Sequence, residues 1–239
     1  MTTNQTIDGV PRAYADLERI NIHGEPDRKG EDGAWIKTWK ERQPGKTISH
    51  HSRASGLWNK ISARCLAGGQ YQRGNPAYVG TTNGFGDFQQ FAEWCNTQPG
   101  YSSFDAEGFR FEIDKDILVP GNKVYSPDTC CFVPKRINSL LTSSTAARGE
   151  CPIGVSYVKR RGVFMAYCKN GGKMKHLGHH ASAAQAHAAW QAMKVAIIAD
   201  AAMDYRAMYG SSIRVYEALI YRAAMIYLAH KNGTETLQP

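Results

Sequence analysis

The sequence predicts an α+β protein whose second half holds a small three-stranded antiparallel sheet packed on one helix. Two patterns carry that prediction. Three short runs of strand character, IGVSYV, VFMAYC and MKHLGHH, are separated by the turn-forming segments KRRG and KNGG. A helix then opens at Ser182, with Gln185 three residues on completing a capping box. Ala186, Ala189, Trp190, Met193 and Ile197 follow at three- and four-residue steps, a stripe that should cover one face of the sheet.

Ahead of the sheet the chain reads as further blocks. Residues 1–33 are polar, with the charged stretch GEPDRKGEDG, and are expected to be peripheral. Residues 34–142 are rich in aromatics and predict two helices. The first follows Ser55, with Leu57, Ile61 and Cys65 along one face. The second lies in FGDFQQFAEWCNTQ, where Phe85, Phe88, Phe91 and Trp94 recur every three residues, a core-packing stripe. Residues 143–151 read as a polar linker, 152–199 as the sheet-plus-helix module, and 200–239 as a helical tail. In the tail a helix begins after Ser211 or Ser212, puts Ile213, Tyr216, Leu219 or Ile220 and Ala223 on one side, and stops at Lys231-Asn232-Gly233. It reads as a packing helix, with a second DNA-contacting or dimerising surface as the alternative, because Arg214 and Arg222 also lie there.

Composition narrows the function classes. Lys and Arg total 29 against 21 Asp and Glu, a net charge of +8, which favours a polyanionic partner over an acidic small molecule. No apolar stretch reaches the about 18 residues needed to span a bilayer. The N-terminus lacks the apolar core of a signal peptide, so no membrane is expected and the location is cytoplasmic. Six cysteines without CxxC spacing fit a reducing compartment, with a zinc site from dispersed Cys and His as the alternative.

The charge is concentrated. From Arg148 to Lys194 there are eight Lys or Arg and one acid, Glu150. Lys159, Arg160 and Arg161 crowd one hairpin tip, and Lys173 and Lys175 flank the third strand. The face of the sheet away from the helix is left free, with a basic rim suited to the phosphates of double-stranded DNA.

The run IGVSYVKRRGVFMAYCKNGGKMKHLGHHASAAQAHAAW resembles the DNA-binding domain of the plant ethylene-response factors and its phage relatives. The likeness rests on the Gly-Val of strand one, Phe164 and Ala166, His176-Leu177-Gly178 and the alanine-rich helix. It implies a sheet that enters the major groove, with Ser156, Met165, Tyr167 and His176 among the outward side chains. Where the family often carries base-reading arginines this chain has Ser156, Met165 and Tyr167, which shifts the expectation toward backbone and shape recognition.

The segment FEIDKDILVPGNKVYSPDTCCFVPKRINSLL resembles the HNH nucleases, whose ββα motif grips one divalent metal. Together with LWNKISARCL, NPAYVG and FGDFQQFAEW, in this order, it is similar to phage homing-type endonucleases from about Trp58 to Ala188. The resemblance implies a degenerate HNH-like domain that holds Mg²⁺ through Asp114 and Asn138. Lys115 falls where the family has its general-base histidine, Thr129 where it has an asparagine, and Asn122 is a substitute for that asparagine. Asp116 is the alternative base, and His50 and His51 are histidines that would have to fold back to serve. Phosphodiester cleavage needs an activated water and a metal to steady the developing charge. Metal-dependent nicking or cleavage of duplex DNA is therefore expected. The competing reading is a DNA-binding regulator or architectural protein on the same scaffold without its chemistry. A third is an inhibitor or virion component.

Overall fold

A computed structural model describes residues 6–7, 10–11, 26–142 and 150–239. Most of the expected linker, 143–151, lies outside them. The protein is α+β, with small, mostly antiparallel sheets, and it divides into two compact units, residues 1–134 and 135–239. Among the described residues no helix is long and apolar enough to cross a membrane.

In the first unit β1 (Thr6–Ile7) and β2 (Val10–Pro11) form a minimal antiparallel pair. A hairpin of β3 (Thr38–Gln43) and β4 (Lys46–His51) leads into α1 (Arg53–Cys65). That helix starts three residues before the expected point, because Ser52 caps it: its Oγ accepts from Ser55 N at 3.1 Å. A short α2 (Gln70–Gly74), a 3-10 turn at Pro76–Tyr78 and β5 (Thr82–Asn83) follow. Helix α3 (Phe88–Thr97) is capped by Asp87, whose Oδ1 accepts from Gln90 N at 2.9 Å. The remaining strands are β6 (Glu112–Asp114), β7 (Val124–Tyr125) and β8 (Cys131–Val133). β5 pairs with β7 in parallel, and β6 with β8 antiparallel.

The aromatic stripe is the core of this unit. Phe85, Phe88 and Phe91 are buried, Phe85 and Phe91 meet edge-on at 4.9 Å, and Trp94 and Tyr101 lie 5.6 and 5.1 Å from Phe132. The end of the N-terminal polar segment belongs to the fold, which corrects its reading as peripheral. Asp27 accepts from Ala54 N at 3.0 Å, from Asn96 Nδ2 at 3.0 Å and from the Tyr101 hydroxyl. The carboxylate ties together α1, α3 and the loop after α3, a reach that local composition does not reveal.

The second unit opens with α4 (Lys135–Leu140), followed by β9 (Val155–Val158), β10 (Val163–Asn170) and β11 (Lys173–His180) in the order β11-β10-β9. The unit boundary thus precedes α4 rather than following Thr142. Leu140 packs against the core of Ile153, Cys168, Trp190 and Ile197, and Lys194 Nζ donates to Leu140 O at 2.5 Å. The β10–β11 turn centres on Gly171 and Gly172, both at positive φ, as a two-residue primed hairpin requires.

Helix α5 (Ala183–Arg206) starts as expected, with Ser182 Oγ accepting from Gln185 N at 3.2 Å. It then runs unbroken through position 200, so the expected module and tail share one helix. Its sheet-facing side buries Ala186, Trp190 and Ile197. Gly154 sits under Trp190: a Cβ there would stand 2.0 Å from Trp190 Cδ1, and φ is +77°. Helix α6 (Ile213–Lys231) packs on α5 and buries Val215, Leu219, Arg222, Ala223 and Ile226. Leu219 and Ala223 are buried as expected, but Ile213 and Ile220 are exposed and Tyr216 is partly so. Apolar residues occur on every side of the helix, so periodicity alone does not choose its buried side. The chain end folds back onto α5, where Gln191 Nε2 donates to Thr234 O and Thr236 Oγ1, and His187 Nε2 accepts from Thr236 N.

Candidate functional site: a basic sheet and an acidic loop

The three-stranded sheet presents one face to α5 and one away from it. Val155, Ala166 and Cys168 are buried on the helix side. The alternate positions form the other face, where Ser156 and His179 both pair with Met165, and Tyr167 pairs with His176. Ser156, Met165, Tyr167 and His176, which the resemblance picks out, therefore share one surface. Ser156, Met165 and Tyr167 are partly exposed, and His176 is exposed.

A β-bulge adds a residue to that surface. Ala166 pairs with Gly178 and Tyr167 with His176, so Leu177 is the extra residue and turns into the core. Simple alternation would put His176 and His179 on opposite faces. The bulge brings them together, with ring centroids 4.8 Å apart. The signal for it in the sequence is Gly178, which sits at φ +109°.

The basic residues divide. Lys159, Arg160 and Arg161 are exposed in the β9–β10 turn, and Lys173 and Lys175 are exposed on β11. Lys175 pairs with Cys168, so it lies at the helix-side register and belongs to the rim, not to the outward face. Lys194 is buried, its Nζ fixed on the last turn of α4, and burial holds its pKa below the usual lysine range. It is a structural cation.

The first unit carries a second basic surface that the sequence reading missed. In the β3–β4 hairpin Thr38, Lys40 and Arg42 pair with His51, Ser49 and Thr47, a polar face with two cations and no acid. Trp39, His50, Glu41 and Ile48 occupy the other face. There His50 stacks on Trp39 at 5.4 Å and bonds Glu41 Oε2 at 3.0 Å, while Arg28 covers Trp39 at 3.7 Å. His50 is thus held in the hairpin.

The acidic loop follows β6. Asp114 ends that strand opposite Cys131, and its Oδ1 accepts from the N–H groups of Asp116 and Ile117 at 2.8 and 2.7 Å. Burial pushes its pKa up to about 7, and the charge of Asp116 adds to the rise against the lowering effect of the two backbone bonds. Near neutrality this carboxyl is poised between its two forms.

Lys115 is buried. Its Nζ donates to Asp116 Oδ2 at 2.9 Å and to Asn122 O at 3.0 Å. Asn122 answers by donating to Lys115 O at 2.6 Å and Val124 O at 2.7 Å, and by accepting from Val124 N. Thr129 Oγ1 donates to Val124 O at 2.7 Å and lies 2.9 Å from Ser126 Oγ. Lys115, Asn122 and Thr129, read as occupants of catalytic positions, hold the loop in shape.

Asn138 lies on α4, in the second unit, whereas Asp114 belongs to the first. Among the described residues no three His, Cys, Asp or Glu side chains form a metal-binding group. All six cysteines are free thiols. No protein-family model, no curated protein and no solved structure matches this chain.

Proposed function

We propose that this chain binds double-stranded DNA and nicks it in a metal-dependent reaction of the homing-endonuclease type. The observation that carries the binding reading is the helix-free face of the β9–β11 sheet, flanked by the exposed cations Lys159, Arg160 and Arg161. Its polar and aromatic side chains can contact sugar and base edges, while the rim cations neutralise phosphates. No arginine lies among its central residues Ser156, Met165, Tyr167, His176 and His179, which favours recognition by shape and backbone over strict base reading.

The nicking reading rests on Asp114. Its carboxyl sits in a fixed turn beside Asp116, and Mg²⁺ bound there would stabilise charge on the scissile phosphate. Asn138, which the HNH resemblance also implies, lies on α4 in the second unit. One observation favours the alternative, a DNA-binding regulator without chemistry: Lys115 Nζ is a donor to two oxygens, and no histidine stands in its place.

The test measures duplex binding across salt concentrations, and nicking with Mg²⁺, Mn²⁺ or EDTA. Replacing Lys159, Arg160 and Arg161 by alanine should weaken binding to every duplex and reduce the salt slope by about 2 to 3. An unchanged slope removes the sheet from the interface. Nicks that require metal and vanish in Asp114→Ala support the enzyme; binding without nicks leaves the regulator.

A further inference from the structure

We propose that the outer face of α6 is a homodimer interface, in which two copies of the helix cross antiparallel about a two-fold axis at Ala224. The inference does not depend on the DNA reading. Helix α6 buries one side on α5, yet Ile213, Ile220, Tyr221, Met225, Tyr227 and Leu228 are all exposed, between 36% and 57%. With Ala224 they form a continuous face opposite Val215, Leu219 and Ile226. Contiguous exposed apolar surface of this kind marks an association site.

Charge selects a second copy of the chain and fixes the direction. The charged residues on this face are Glu217 near one end, with Arg214 at its edge, and Lys231 near the other. A two-fold interface is self-complementary, with each residue contacting its symmetry counterpart. Parallel pairing would set Glu217 against Glu217 and Lys231 against Lys231. Antiparallel crossing at Ala224 places Glu217 opposite the partner's Lys231, each seven residues from the axis. The same register sets Ile220 opposite the partner's Leu228 and Tyr221 opposite the partner's Tyr227. The small side chain of Ala224 lets the two backbones approach at the crossing, and opposed helix dipoles favour the antiparallel arrangement.

Light scattering and sedimentation of the full chain test this directly. The expected mass is twice the 26.5 kDa of one chain. The double variant Ile220→Glu/Leu228→Glu, whose positions are exposed in the single chain, should keep its circular dichroism and run as a monomer. Glu217→Lys and Lys231→Glu should each weaken the dimer by about tenfold, since each creates two like-charge contacts, and the combined swap should restore it. A wild-type chain that stays monomeric up to millimolar concentration overturns the proposal, as does a dimer indifferent to Ile220→Glu/Leu228→Glu. A dimer broken by that variant but not restored by the charge swap overturns the antiparallel register.

Discussion

Cations of the two units meet opposite fates, and the contrast separates architecture from surface available to a partner. In the first unit Lys115 is buried, with only 7% of its side chain exposed, and its charge is answered within the loop by Asp116 and the carbonyl of Asn122. In the second unit Lys159, Arg160 and Arg161 stand in solvent on a turn with no acid in its sequence. The second unit repeats the contrast internally, since Lys194 is as buried as Lys115 and caps α4. Counting positive residues along the sequence treats all of these alike. An exposed cation adds to the field that a polyanion feels, whereas a buried, bonded one fixes a loop or a helix end.

The largest expected effect tests whether the sheet and α5 form one packed body. Gly154→Ala would need a Cβ at 2.0 Å from the Trp190 ring on a residue held at φ +77°. Either Trp190 leaves its place over Ile153 and Cys168, or the strand entry shifts and the bond from Tyr167 N to Gly154 O, 2.8 Å long, is lost. A loss of about 4 kcal/mol is expected in chemical denaturation. A loss below about 1 kcal/mol would mean that the sheet tolerates displacement from α5, and that its outward face is not rigidly presented.

A smaller effect concerns Asp114 and appears as a pH dependence. Its folded-state pKa, about 7, lies above the ordinary value of 3.8. The folded protein therefore holds this proton over a range in which the unfolded chain has released it. The associated stability is fully present below about pH 4 and is lost as pH rises toward 7. Asp114→Asn, which cannot ionise, should flatten the fall in stability between those limits and leave the protein more stable than the parent near pH 7. Thermal melts at several pH values read this directly, and parallel curves for parent and variant would remove this account of the half-buried acid. A bound divalent cation should oppose the same loss, because it favours the ionised form.

How far the sequence reveals this depends on the range of each determinant. Ser182, the strand runs and the aromatic stripe of α3 are legible because caps, alternation and helical spacing are local. The continuation of α5 through position 200 is hidden, since alanine-rich sequence carries no stop signal there. The buried side of α6 is hidden for the opposite reason, an excess of apolar positions. The roles of Asp27 and Lys194 depend on partners dozens of residues away, Asn96 and Leu140. At the site, the outward positions of β9 and β10 follow from alternation, but His179 joins them only through the bulge at Leu177. The acidic loop shows the same limit, for residue type alone does not distinguish a lysine that takes protons from one that braces a turn.

The smallest effect bears on that last distinction. Lys115→Met keeps most of the side-chain volume and removes the ammonium. Asp116, with 46% of its side chain exposed, regains water, so no unpaired charge is left buried. What is lost is the donor to Asn122 O, while the Asn122 amide still bonds Lys115 O and Val124 O through groups the substitution does not touch. The expected cost is about 1 kcal/mol in denaturation, against about 3 kcal/mol for Lys115→Ala, which also opens a cavity beside Tyr125. If the lysine is a brace, metal-dependent nicking by the Met variant should fall no more than a few-fold. Loss of nicking in a Met variant that is as stable as the parent would instead make Lys115 part of the chemistry, and would join the acidic loop to the surfaces that act on a partner.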